Sequence, residues 1–235
     1  MQGKLILIGT PIGNIEDISL RALKVLKEVD LILSEDTRRT LKLLNYYSIS
    51  KPIDSFNEHS SMKKKEKILE RLKNGEKIAY VSDAGMPVIS DPGTDLVNMC
   101  HENDIEVDII PGPSAVLTAL AASGYYGNRF LFLGFMPRDK KRRRLLRKIK
   151  EGIELTDIFI FFESPERLIK TLKDILNIVG DIEIFVAREL TKKFQEFFKG
   201  FVSEAIEYFE NGVKGEITVI LNTSKIRDEK IKKND

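Results

Sequence analysis

Glycine, proline and acidic residues recur together in this chain, each time directly after a short apolar run. The first group is GTPIGN, Gly9 to Asn14, and the second is SEDTRRT, Ser34 to Thr40. The third is SDAGMPVISDPG, Ser82 to Gly93, and the fourth is PGPSA, Pro111 to Ala115. A glycine carries no Cβ, so the backbone N–H groups around it can approach a ligand closely. Glu35, Asp36 and Asp83 add carboxylates, which suit a cationic or hydroxyl-rich ligand better than a triphosphate. Each loop also has the composition of an ordinary tight turn. Glu35 and Asp36 equally suit the cap and first turn of a helix starting at Thr37, and Ser114 a helix cap. Four such loops in succession favour a binding site. G-x-G-x-x-G and the P-loop pattern are both absent, which excludes nucleotide binding by those two routes.

Three later segments carry polar groups at strand ends: FFESPERL (Phe161 to Leu168), ARELTKK (Ala187 to Lys193) and VKGE (Val213 to Glu216). Glu163 and Glu189 suit a ligand or a helix cap, and Phe161-Phe162 suits a core more readily than a stacking platform. Residues 138–150 carry nine Lys or Arg and one Asp, a local charge of +8. The whole 235-residue chain carries only +2, so the remainder sums to −6. A charge run is often just a solvated face. This one repels itself unless anions compensate, and a nucleic-acid backbone supplies them. Arg138, Lys140, Lys141, Arg142, Arg143 and Arg144 are the candidate contacts. A helix here turns Leu145, Leu146 and Ile149 toward a core.

The elements that must position these groups alternate. Lys4–Gly9, Leu31–Ser34, Lys77–Ser82 and Glu106–Ile110 read as strands, with helices over Ser19–Val29, Thr37–Tyr47, Ser60–Lys73 and Pro92–Asn103. That β-α-β order predicts a mostly parallel sheet covered on both faces, with ligands outside the carboxyl ends of its strands. After a small-residue helix, Ser114–Ser123, strands become denser: Phe130–Gly134, Thr156–Phe162, Asp181–Arg188, Phe194–Phe201 and Glu216–Asn222. Helices near Lys140–Lys150, Pro165–Val179 and Ser203–Asn211 separate them. The predicted fold class is α/β in two domains: a parallel-sheet domain over 1–113 and a mixed α+β domain over 114–225. A charged tail, 226–235, follows.

Composition bounds the rest. Hydrophobic content of 42% and charged content of 31% fit a folded globular chain. One cysteine excludes an internal disulfide framework, and with two histidines no metal site is expected. No apolar stretch approaches the 18 or so residues of a membrane span. The run Leu5 to Ile8 is too short for a signal-peptide core, so a cytoplasmic protein is expected.

Several of these motifs, in this order, resemble the bacterial small-subunit ribosomal RNA 2′-O-ribose methyltransferases known as methyltransferase I, within the tetrapyrrole-methylase superfamily. The segments that carry the resemblance are TPIGN, EDTR, VSDAGMP with SDPG, PGPSA, ARELTK and KGE, spread from about Lys4 to Leu221. Phe56-Asn57-Glu58-His59 departs from the pattern, since members often carry a second histidine there. The resemblance implies a homodimer with S-adenosylmethionine folded in a cleft between the domains. It places Pro11 and Ile12 beside the cofactor, with Ser82, Asp83, Ala84, Gly85, Met86 and Ile89 walling it. Ser114, Ala115, Phe162, Ala187 and Glu216 complete that set.

The implied substrate is a cytidine ribose in the small-subunit (16S) RNA, naked or in the assembled subunit, and no membrane is involved. The chemistry is in-line attack by a ribose 2′-OH on the methyl group. Glu35, Asp36 and Glu189 are candidates to accept its proton or orient it, with Arg38 and Lys192 holding phosphate. Two other readings fit the same residues: a tetrapyrrole or small-molecule methyltransferase on this scaffold, and a non-enzymatic RNA-binding assembly factor.

Overall fold

Strands that are apolar on both faces, apart from their end residues, must be covered on both, and the first half of the chain supplies three. In the computed structural model, which describes residues 3–89, 92–151 and 156–226, β1 (Lys4–Ile8), β2 (Leu31–Ser34) and β4 (Lys77–Val81) are buried almost throughout. With β3 (Ile53–Ser55) and β5 (Glu106–Ile110) they form a sheet in the order β3-β2-β4-β1-β5. Every pairing in it is parallel.

Side-chain alternation splits its core in two. Leu5, Leu7, Leu33 and Tyr80 pack with α3 (Met62–Lys73) and α4 (Thr94–Glu102). Ile6, Ile8, Ile32 and Val81 pack with α1 (Leu20–Glu28) and α2 (Thr37–Tyr46). The chain runs outward from β1 to β3, returns to insert β4 beside β1, then places β5 on β1's other side. The loops therefore leave the carboxyl ends of β1, β2, β4 and β5 around a topological switch point.

The chain divides into two compact units, Met1–Ser114 and Ala115–Asp235. The second opens with α5 (Ala115–Ser123) and has its own five-stranded sheet, in the order β6-β7-β10-β8-β9. β6 (Leu131–Phe135) runs parallel to β7 (Ile158–Glu163). β10 (Ile217–Asn222), β8 (Glu183–Arg188) and β9 (Glu196–Phe201) continue it with antiparallel pairings, so the sheet is mixed. One face packs Phe159, Phe161, Val186 and Val219 against α6 (Asp139–Glu151), α7 (Leu168–Ile178) and α8 (Val202–Tyr208).

The expected α/β fold class holds, and the expected strands recur with ends moved by a few residues. β3 was not expected. Its three residues include two polar ones, and it is held as an edge strand by hydrogen bonds from Ile32 to Pro52 and from Phe56 to Ser34. Most of the expected charged tail, 227–235, lies outside the described residues, as do Ser90 and Asp91 of the SDPG motif.

Two backbone contacts fix the loops at the switch point. Thr10 and Gly85 exchange N–H···O bonds of 2.9 and 3.1 Å. Gly9 and Gly112 lie so close that a Cβ built on Gly112 would sit 2.7 Å from the Gly9 carbonyl carbon. We expect Gly112→Ala to cost about 2 kcal/mol or more, because the clash is with backbone that cannot rotate aside. Urea unfolding reads this directly, and wild-type stability would contradict it.

Candidate functional site

The three loops after β1, β4 and β5 form one ledge in the first unit. Gly85 adopts φ +82°, a conformation other residues rarely hold, and its N–H and C=O are both used on Thr10. The Gly112 N–H donates to the Met86 sulfur at 3.3 Å, which ties the β4 loop to the β5 loop. Ser82 is buried with its hydroxyl turned onto the Ala84 and Gly85 carbonyls, and Thr10 donates to the Ser82 carbonyl. Ile12 is also buried, with its side chain against Gly85.

Of the expected cofactor residues in this unit, Ser82, Gly85, Met86 and Ile12 therefore build the ledge, Pro11, Asp83 and Ala84 remain accessible within it, and Ile89 follows it in the chain. Ile89 is 68% exposed. A surface of small and apolar groups, backbone and one carboxylate fits a sulfonium compound with an apolar body. Ser114 and Ala115 are half-buried and lie where the two units meet in sequence.

Asp36 caps α2, accepting from the Arg38 N–H at 2.9 Å and from both Nε and Nη2 of the same arginine. Those bonds hold its carboxyl at about 2. A carboxylate held so low is a weak proton acceptor, since general bases work best near the operating pH. Asp36 thus serves as the cap of α2, and Arg38, its ion-pair partner, keeps a side chain 85% exposed. Glu35 is half-buried between β2 and α2. Asp36 also donates its N–H to Asp83 at 2.9 Å, joining the second and third loops.

Beside the ledge lies a depression of about 170 Å³ lined by Thr10, Pro11, Gly13, Arg39, Thr40, Lys42, Ser82 and Asp83 among others. This is below the several hundred Å³ of a site that encloses a whole small molecule.

In the second unit, strand register brings together residues far apart in sequence. Phe135, Phe162, Thr218, Ala187 and Phe197 form one rung across all five strands. Phe162 and Ala187, both expected at the cofactor, therefore share a rung. Their strand neighbours Phe161 and Val186 point the other way into the helix-covered core, so the Phe161-Phe162 pair divides between the two faces.

Glu189 and Glu216 also meet. Glu189 accepts from the Glu216 N–H at 2.9 Å, and Lys192 Nζ lies 2.8 Å from Glu189 and 3.0 Å from Glu216. The Lys192 hydrogen bond lowers the Glu189 pKa. Burial works against the Lys192 charge, but its two carboxylate partners outweigh that and raise its pKa. Glu189 and Lys192 are thus a knot that ties the ARELTK loop to the KGE turn.

Arg142 is a correction to the expected contacts. It is 1% exposed, with Nε donating to Asp174 at 2.7 Å and Nη1 to Thr171 at 3.3 Å. Its Nη2 lies 2.6 Å from Asp174 but off the hydrogen-bond direction. Thr171 passes the connection to the fully buried Glu163, which pairs with Arg167. Glu163 is thereby a structural carboxylate. The missed signal was spacing: Arg142, Leu146 and Ile149 stand four and three residues apart, on one helical stripe. Arg138, Lys140, Lys141, Arg143 and Arg144 are exposed.

Comparison with known proteins gives a consistent picture. Residues 4–206 match the family of tetrapyrrole (corrin/porphyrin) methylases. A ribosomal RNA small subunit methyltransferase I from Thermotoga maritima is 61% identical over 94% of this chain and 98% of its own. The Bacillus subtilis protein of the same name is 44% identical over 94% of this chain and 76% of its own. Among solved structures, a diphthine synthase aligns with a TM-score of 0.71 at 12% identity, over 94% of this chain and 90% of its own. A Thermus thermophilus uroporphyrin-III C-methyltransferase complexed with S-adenyl homocysteine aligns at 0.65 and 15% identity, over 97% and 99%.

Arg142→Gln should cost about 3–5 kcal/mol, because it strands Asp174 and breaks the chain of bonds to Glu163. Arg143→Gln, one residue on but exposed, should stay within about 0.5 kcal/mol of wild type. Equal melting temperatures for the two variants would contradict the assignment.

Proposed function

The chain belongs to the ribosomal RNA small subunit methyltransferase I family of the tetrapyrrole methylases, and from that membership we propose that it transfers a methyl group from S-adenosylmethionine to the 2′-OH of a cytidine in small-subunit ribosomal RNA. The observation that carries this reading is the 61% identity over nearly the whole chain; the TPIGN, VSDAGMP and PGPSA segments lie in the loops that build the ledge. The same reading includes a cytoplasmic location and a homodimer. Exposed Leu117, Tyr126, Leu131 and Phe135 in the second unit support a partner surface.

When bound, S-adenosylmethionine supplies an electrophilic methyl group on a sulfonium. The chain's own task is alignment. The fixed ledge with Pro11, Asp83 and Ala84 presents one surface, and orientation of this kind contributes about 7 kcal/mol or more at best. Asp36 and Glu189, each held low by a cation, serve as structural anchors. Glu35, half-buried at the carboxyl end of β2, is the carboxylate we assign to accept or orient the ribose proton. Arg138, Lys140, Lys141, Arg143 and Arg144 on and beside α6 supply the cations that gather RNA.

Calorimetry with S-adenosylmethionine should show saturable heat, and a porphyrinoid without RNA should remain unmethylated. A thermally silent titration would contradict the reading. Glu35→Gln should lower kcat by about 10²–10⁴-fold with the melting temperature retained, and an unchanged kcat would remove Glu35 as the acceptor. Replacing Arg143 and Arg144 with Gln should weaken RNA binding and flatten its dependence on salt.

A further inference from the structure

We propose that the depression in the first unit between the Thr10–Gly13 loop and α2 is a phosphodiester subsite, in which Arg39 and Lys42 hold an RNA backbone phosphate. This rests on the proposed RNA substrate and adds a second contact region to α6. Arg39 and Lys42 stand three residues apart on α2, so their side chains emerge side by side. Both line the depression, as do Thr10, Pro11, Gly13 and Asp83. Thr40 and Leu43, between and beyond them, are buried and fix the helix face.

The neighbouring cation behaves differently. Both side chains are exposed, but Arg38 makes two side-chain hydrogen bonds to Asp36, at 3.0 and 2.8 Å, whereas Arg39 only approaches Asp83, at 3.6 Å. Lys42 is exposed and makes no hydrogen bond or ion pair among the described residues. Two cations against the Asp83 carboxylate leave one net positive charge, matching the single negative charge of a phosphodiester. The volume, about 170 Å³, suits one such group rather than a whole cofactor. Since Pro11, Ser82 and Asp83 also belong to the ledge, a phosphate held here would fix a nucleotide beside the methyl-transfer site.

The other carrier of a single negative charge is the cofactor's own carboxylate, and the test separates the two. The variant is the pair Arg39→Gln with Lys42→Gln, and the control is Lys24→Gln with Lys27→Gln, which removes equal charge from exposed α1 positions at the same spacing. Binding to small-subunit RNA is measured over a salt series, with S-adenosylmethionine affinity read by calorimetry. The variant should bind RNA about tenfold more weakly and lose about 0.7 of salt slope per phosphate contact. Its cofactor affinity should stay within twofold, and the control should bind as wild type.

Unchanged RNA binding in the variant overturns the assignment. So does an equal loss in the control, or a loss confined to cofactor affinity. If the wild-type chain neither binds nor methylates RNA, the proposed function falls and this subsite with it. An active wild type with an unaffected variant removes the subsite alone.

Discussion

The site in the first unit depends on a close approach of backbone to backbone. Gly9 and Gly112 touch at a distance no side chain permits, and Thr10 and Gly85 close a reciprocal pair of hydrogen bonds beside them. Three loops that leave three different strands are thereby locked into one surface. The parallel sheet makes this possible, because β1 lies between β4 and β5 and all three strands end at the same edge. Without the glycines the loops would splay. Pro11 and Asp83 would then no longer share a ledge. Catalysis by orientation requires that such groups be fixed before substrate arrives.

The second unit solves a different problem, that of carrying a dense positive charge on a stable helix. α6 is anchored by Leu146, Ile149 and Arg142, the last through a buried chain running over Thr171 to Glu163 at the end of β7. The other basic residues of this segment are left on the surface. The same chain of bonds ends next to Phe162, so the support of the basic helix and the support of the expected cofactor strand are one network. The Glu189–Lys192–Glu216 knot does the equivalent work for β8 and the turn before β10.

What the sequence disclosed follows from which signals are local. Apolar runs, helix periods and the glycine-rich turns were legible, because each depends on residues within a few positions of one another. β3 was not, since an edge strand of Ile53, Asp54 and Ser55 has no alternation long enough to read. Arg142 was hidden inside a run of like residues, and only its register with Leu146 and Ile149 sets it apart. The Glu189–Lys192 pair is local, but Glu216, which completes the knot, lies 27 residues from Glu189 in sequence. Arg39 was passed over for Arg38, and only the fold shows which of the two is neutralised by Asp36. The net charge of +2 concealed the same division, between a basic helix and an acidic remainder in which individual carboxylates hold individual cations.

Mass mapping of ribose methylation is the most direct test of the central claim. Small subunits that lack the modification are incubated with the protein and S-adenosylmethionine, and their RNA is digested and mapped. The account predicts one new 2′-O-methylcytidine at a single position, dependent on both protein and cofactor. An unmodified RNA, or a methyl group found on a base instead of a ribose, would contradict it.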